Sequence, residues 1–113
     1  MNYELVYTAE ADDDLEFFNK EQRRQIIIQI EKAANNPLPQ NEGGYGKPLG
    51  NKRNMNLTGL CKIKLKKLGV RVIYKLIRVD KIMKILVIAA RSDDEVYKIA
   101  YHRTNQHKLK SPV

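Results

Sequence analysis

Leu60-Cys61-Lys62-Ile63-Lys64-Leu65-Lys66, followed by Lys67-Leu68-Gly69 and then Val70-Arg71-Val72-Ile73-Tyr74-Lys75, decides the fold of this chain. The first stretch alternates apolar and basic residues with a period of two. That is the signature of a strand with Cys61, Ile63 and Leu65 on one face and Lys62, Lys64 and Lys66 on the other. Lys67-Leu68-Gly69 reads as a turn, because Gly69 accepts positive φ without a steric penalty. Val70 to Val79 reads as a second strand, and Asp80-Lys81 as a short turn. Ile82 to Ala90 is nearly all apolar, as expected of a strand buried on both faces.

Upstream, Tyr3-Glu4-Leu5-Val6-Tyr7-Thr8 alternates and is rich in β-formers, which predicts another strand. Ala9 to Phe18 has carboxylates in its first turns, where they suit the positive end of a helix dipole. Asp12, Asp13 and Asp14 point in three directions on such a helix, so they do not form a metal cluster. From Lys20 to Ala34 the residues Ile26, Ile27, Ile30 and Ala34 recur at helical spacing and form an apolar stripe, widened by Ile28. Asn35-Asn36-Pro37-Leu38-Pro39 ends that helix, and a polar, glycine-bearing loop follows through Gly50. Downstream of the strands, Ser92-Asp93-Asp94-Glu95 is a capping box that starts a helix over about Asp93–His102. The pattern predicts an α+β fold in the order β-α-α-β-β-β-α. Its sheet would be mainly antiparallel and four-stranded, with the N-terminal helix pair on one face, a C-terminal helix, and part of the other face left open to a ligand.

The 113 residues read as a single domain, with 104–113 as a flexible tail. No apolar run reaches the ~20 residues needed to cross a bilayer. The first residues carry no secretory pattern, and Cys61, the one cysteine, lies on the apolar face as a structural thiol; a cytoplasmic location is expected. The net charge of +8 is unevenly placed: residues 1–50 hold five Lys/Arg against nine Asp/Glu, and residues 51–113 hold sixteen against four. Such a basic half suits contact with a polyanion, though a solvated basic surface would look the same.

Lys62, Lys64 and Lys66 lie within ~13 Å of one another on a strand face. Their mutual repulsion favours a bound anion and should lower each lysine pKa. The partner strand can add Arg71 and Lys75. Arg91 ends the third strand, and Tyr97 lies in the following helix. Together these groups could cleave RNA with neither metal nor cofactor. A lysine can take the ribose 2′-OH proton, arginines can neutralise the charge developing on phosphorus, and a tyrosine can stack on a base. No His-Asp pair, Cys-His pair or acidic trio offers a rival set. Each residue also has a plainer reading. The lysines fit a solvated strand face, Arg91 is within reach of Asp93 or Asp94, and Tyr97 is spaced for packing with Tyr101.

Lys62-Ile63-Lys64-Leu65, Gly69-x-Arg71-x-x-Tyr74, Arg91 and Glu95-Val96-Tyr97 together resemble the RelE branch of the RelE/ParE toxin superfamily. The likeness runs from about Leu57 to Tyr97, and the β-α-α start and Lys47-Pro48-Leu49 fit it. The resemblance implies a toxin that enters the ribosomal A site and cuts messenger RNA, leaving a 2′,3′-cyclic phosphate and a 5′-hydroxyl. A cognate antitoxin would neutralise it. By the same resemblance Lys62 would contact backbone phosphate; Lys66 and Lys75 are expected as further RNA contacts from the strand face alone. Lys64 would be the general base, Arg71 and Arg91 would stabilise the transition state, with Arg91 acting as, or assisting, the acid for the leaving oxygen, and Tyr97 would stack on a base and help orient the 2′-OH. Gly50 to Asn56 looks longer than in compact members, and Ala90 stands where another basic residue can occur. Two other readings remain: a ParE-like toxin that poisons DNA gyrase without cutting, and a non-catalytic basic RNA-binding module.

Overall fold

The computed structural model describes residues 2–110. A strand β1 (Glu4–Tyr7) leads into helices α1 (Ala9–Glu16) and α2 (Lys20–Ala33). Strands β2 (Lys47–Lys52), β3 (Met55–Leu65), β4 (Val70–Ile77) and β5 (Ile82–Ala89) follow, and helix α3 (Asp93–Lys110) ends the chain. Both N-terminal helices start on side-chain caps. The Thr8 hydroxyl accepts from the Ala11 amide at 3.1 Å. Asn19 and Gln22 cap each other's backbone reciprocally, satisfying amides that have no partner within the helix.

The α+β class, the order of the predicted elements and the helix pair are as expected, but the sheet differs. It has five strands in the order β1-β5-β4-β3-β2, and β1 pairs parallel to β5 while the other pairs are antiparallel. The additional strand, β2, falls in the stretch expected to be loop. Gly50 to Asn56 is not an inserted loop: Lys52 pairs with Met55 across a two-residue turn at Arg53 and Asn54, both at positive φ. Hairpin turns of that kind ordinarily carry Asn-Gly, so an arginine there gives little warning. Leu65 ends β3, and Lys66–Leu68 coil into a 3-10 turn closed by Gly69 at φ +66°. The third lysine of the alternating run therefore leaves the strand face. Helix α3 continues to Lys110, beyond the expected end at His102, through seven residues of the expected tail (104–110); residues 111–113 lie outside the described residues.

Each face of the sheet has its own core. On one, Ile26 and Ile30 of α2 and Ala11 of α1 pack over Val72, Tyr74, Met83 and Ile85, all fully buried. Burial of one such isoleucine contributes roughly 1.5–3 kcal/mol. Cys61 belongs to this core, as predicted, and burial raises its thiol pKa. Ile28 does not widen the stripe; it is 45% exposed on the opposite side of α2. On the other face, Val96, Tyr97 and Ala100 of α3 cover Leu57, Leu60, Ile73 and Val87. The face expected to stay open is thus largely closed by α3. No helix among the described residues is long and apolar enough to cross a membrane.

β1 is short and leaves the outer edge of β5 unpaired past Ile85. Side chains from the two faces close it. Asp14 of α1 accepts from the Ile88 amide at 2.9 Å. Arg103 of α3 donates to the Leu86 carbonyl at 2.8 Å and to both Asp14 carboxylate oxygens. One member of the Asp12-Asp13-Asp14 run is therefore a structural partner.

Candidate functional site

The β3–β4 register sets Lys64 directly across from Arg71 and Lys62 across from Ile73. Arg71 in turn lies opposite Ala89 of β5, two residues before Arg91. Ser92 caps α3, its hydroxyl accepting from the Glu95 amide at 3.3 Å. That cap turns Asp93 back onto the sheet, where one carboxylate oxygen accepts from Lys62 Nζ at 3.1 Å and from Arg71 Nε at 2.5 Å. Arg71 Nη1 donates to the Arg91 carbonyl at 2.6 Å. Lys62 Nζ also donates to the Tyr97 hydroxyl at 3.0 Å and sits 5.4 Å from the centre of its ring.

Lys62, Lys64, Arg71, Arg91 and Tyr97 therefore do gather around one point, the start of α3, but in different states. Lys62 is 6% exposed and Tyr97 equally buried, so in this conformation Lys62 meets no phosphate and Tyr97 offers no ring face to a base. Arg71 is tied to Asp93, and Arg91 pairs with Glu95 at 3.0 Å. Lys64 is exposed and has no ion pair among the described residues. Lys66 is exposed on the 3-10 turn, beside the same groove as Lys64. Lys75 stays away: it lies across from Leu60 and Lys84, four residues along β4 from Arg71, or ~13 Å.

The expected depression of the lysine pKa does not hold at Lys62. Burial pulls it down, but the hydrogen bonds to Tyr97 and Asp93 outweigh burial and the net shift is upward. Burial would likewise raise Asp93, yet the bonds from Lys62 and Arg71 hold it below its ordinary value. Asp93 is the residue the sequence reading passed over as a helix-start acid. The available signal was its place, two residues after Arg91 and just past the end of β5 at Ala89, beside a sheet face already carrying Lys62 and Arg71. Lys47 was also missed as a site residue; it pairs across from Lys62, in a strand whose Pro and Gly content hides it.

Two concavities flank the network. A groove of about 1000 Å³ runs from Lys62, Lys64 and Asp93 around the edge of β3 to α2. A recess of about 540 Å³ is lined by Arg71, Arg91 and Glu95 together with residues of α1. The Arg71–Asp93 bond joins the two.

No protein-family model matches this sequence, and no curated protein does. Solved structures match by shape. Free E. coli toxin RelE carrying two arginine-to-alanine substitutions aligns with a TM-score of 0.67 at 21% identity, covering 91% of this chain and 98% of that one. The RelBE2 toxin–antitoxin complex of Mycobacterium tuberculosis gives 0.66 at 21%, over 82% of this chain and 95% of that one. The substituted E. coli RelE bound to an antitoxin RelB peptide gives 0.64 at 20%, over 88% and 95%. At this identity the likeness establishes a shared fold.

Proposed function

We propose that this chain, which has the fold of the RelE toxins, is the toxin of a toxin–antitoxin pair and cuts messenger RNA in the ribosomal A site. The observation that carries the proposal is the exposed Lys64 ammonium, without an ion pair among the described residues, directly across the strand pair from an anchored Arg71. In its neutral form Lys64 takes the proton of the ribose 2′-OH. The 2′-oxygen bonds to phosphorus, the bond from phosphorus to the 5′-oxygen breaks, and a 2′,3′-cyclic phosphate and a 5′-hydroxyl result. Arg71 commits Nε and Nη1 to the protein; Nη2 has no such partner among the described residues and can face the charge growing on phosphorus. A guanidinium does not give up a proton in proteins. Arg91 therefore hydrogen-bonds the departing oxygen, which draws its proton from water. Lys62, Asp93 and Tyr97 hold this arrangement from beneath.

An antitoxin partner is supported by the fold relatives solved with antitoxins. The test is cleavage of a defined message in a translation reaction. Wild type should cut and Lys64→Ala should not; equal cutting by both removes Lys64 from the chemistry. A second reading, a basic nucleic-acid-binding module without chemistry, is favoured by the ion pairs on Arg71 and Arg91. It predicts no cleavage by wild type. A supercoiling assay with DNA gyrase separates that module from a ParE-like poison.

A further inference from the structure

The groove between β3 and α2 is larger than the recess beside Arg91, and the chemistry above uses only one end of it. Its walls carry Lys32 of α2, Lys47 of β2, Lys64 of β3, and Lys66 and Lys67 of the 3-10 turn. None of these five has an ion pair among the described residues. Arg24 lies there as well but shares its charge with Glu21 at 2.7 Å. The one acid on the lining is Asp93, already engaged by Lys62 and Arg71. Five like charges around one groove repel each other unless a polyanion lies among them.

One wall residue is of another kind. Tyr45 is 51% exposed and lines the groove, on the side of β3 away from Arg71. Its position is well held, because the Tyr45 amide donates to the Asn36 carbonyl at 3.1 Å and the next residue is a buried glycine. A cationic groove with an accessible aromatic ring has the composition that holds single-stranded nucleic acid, with phosphates on the lysines and a base on the ring. A duplex keeps its bases stacked inside and has none to offer the ring.

We infer that this groove is a single-stranded RNA track, in which Lys32, Lys47, Lys66 and Lys67 grip phosphates and Tyr45 stacks a base of the strand whose phosphate reaches Lys64. The identification of RNA as the ligand rests on the function proposed above. The groove adds the nucleotides beside the cut, and it assigns base stacking to Tyr45, where the sequence had pointed to Tyr97.

The experiment uses the full chain and a fluorescein-labelled twelve-nucleotide RNA of mixed sequence, all 2′-O-methyl so that it cannot be cut. Binding is read by anisotropy across a salt series. Lys32→Glu and Lys47→Glu should each weaken binding about tenfold and flatten its salt dependence. Tyr45→Ala should weaken it about tenfold with the salt slope unchanged, whereas Tyr45→Phe should bind as wild type. Lys81→Glu, in the β4–β5 turn, reverses the same charge outside the groove and should shift binding less than twofold. Equal loss at Lys81, or none at Tyr45, overturns the track. A poly-glutamate peptide that binds more tightly than the RNA, with the groove variants weakening it, also overturns the inference by showing that the groove takes an acidic protein segment. The two proposals fail separately. Wild type that cuts no message yet binds the oligonucleotide through the groove loses the nuclease reading alone. Groove variants that bind and cut normally lose the track alone.

Discussion

Asp93→Asn is the most informative single change in this protein. The substitution keeps the shape of the side chain and removes the charge that Lys62 and Arg71 share. Lys62 is 6% exposed, so its ammonium would be left in the interior with only the Tyr97 hydroxyl and ring. Removing one member of a buried pair costs about 3–5 kcal/mol. Asp93 itself is 41% exposed, so water already shares its charge and the loss should be nearer ~2–3 kcal/mol. For a chain of this length that is a fall of about 8–12 °C in Tm. The pH dependence carries the same signature. Asp93 is held below its ordinary 3.8, so its contribution is complete above that pH and is lost as the pH falls through the lower folded-state value. Lys62 is held above 10.5, so its contribution is complete below that pH and is lost as the pH rises through the higher folded-state value. The assay is urea unfolding followed by circular dichroism from pH 3 to pH 11. The Asn variant should be weaker at neutral pH and should lose less stability than wild type on acidification. Adding Lys62→Met should recover most of the loss, since an apolar replacement of a buried pair is often neutral. If the single variant is as stable as wild type at pH 7, or acidifies with an unchanged loss, the buried network is not what holds the start of α3.

Other outcomes follow from the same structure. Lys64→Ala should reduce cleavage of messenger RNA by at least ~10²-fold, measured in a translation reaction, while leaving Tm within a degree or two because the side chain is exposed. Arg71→Ala should reduce cleavage comparably and also lower Tm, because it releases both Asp93 and the Arg91 carbonyl; unchanged stability would show those bonds to be incidental. Gly46→Ala would place a methyl group 2.0 Å from the Tyr74 hydroxyl oxygen, which donates to the Pro37 carbonyl. It should destabilise by about 1–3 kcal/mol, and Tyr74→Phe in the same background should return part of that in a denaturation series. Arg103→Met should accelerate hydrogen exchange at the Ile88 amide at least tenfold, because the Asp14 carboxylate that receives it loses its counter-charge; protected exchange there would refute the closure of the β5 edge.

The hairpin over Leu60 to Lys75 and the face of Cys61 were legible because alternation and a turn glycine report local geometry. That Arg71 could share a surface with Lys64 followed from that hairpin, but their direct pairing did not, because it depends on the strand ending at Leu65 rather than Lys66. β2 was not legible. Its Pro48 and Gly50 read as loop, and its turn relies on an arginine at positive φ, which only tertiary context makes tolerable. Lys66 was misplaced by one residue of strand length, enough to move a side chain off a face. The states of Lys62 and Tyr97 were out of reach for a further reason. Alternation tells which face a residue occupies, not whether a helix 30 residues later will cover it. The same gap hid Asp93, whose partners lie 31 and 22 positions earlier in the chain.

The bond between Asp14 and Arg103 joins positions 89 apart. Two helices far apart in sequence thus act as one clasp on the sheet margin: loosening either one strips the other's charged group of its counter-charge beside Leu86 and Ile88.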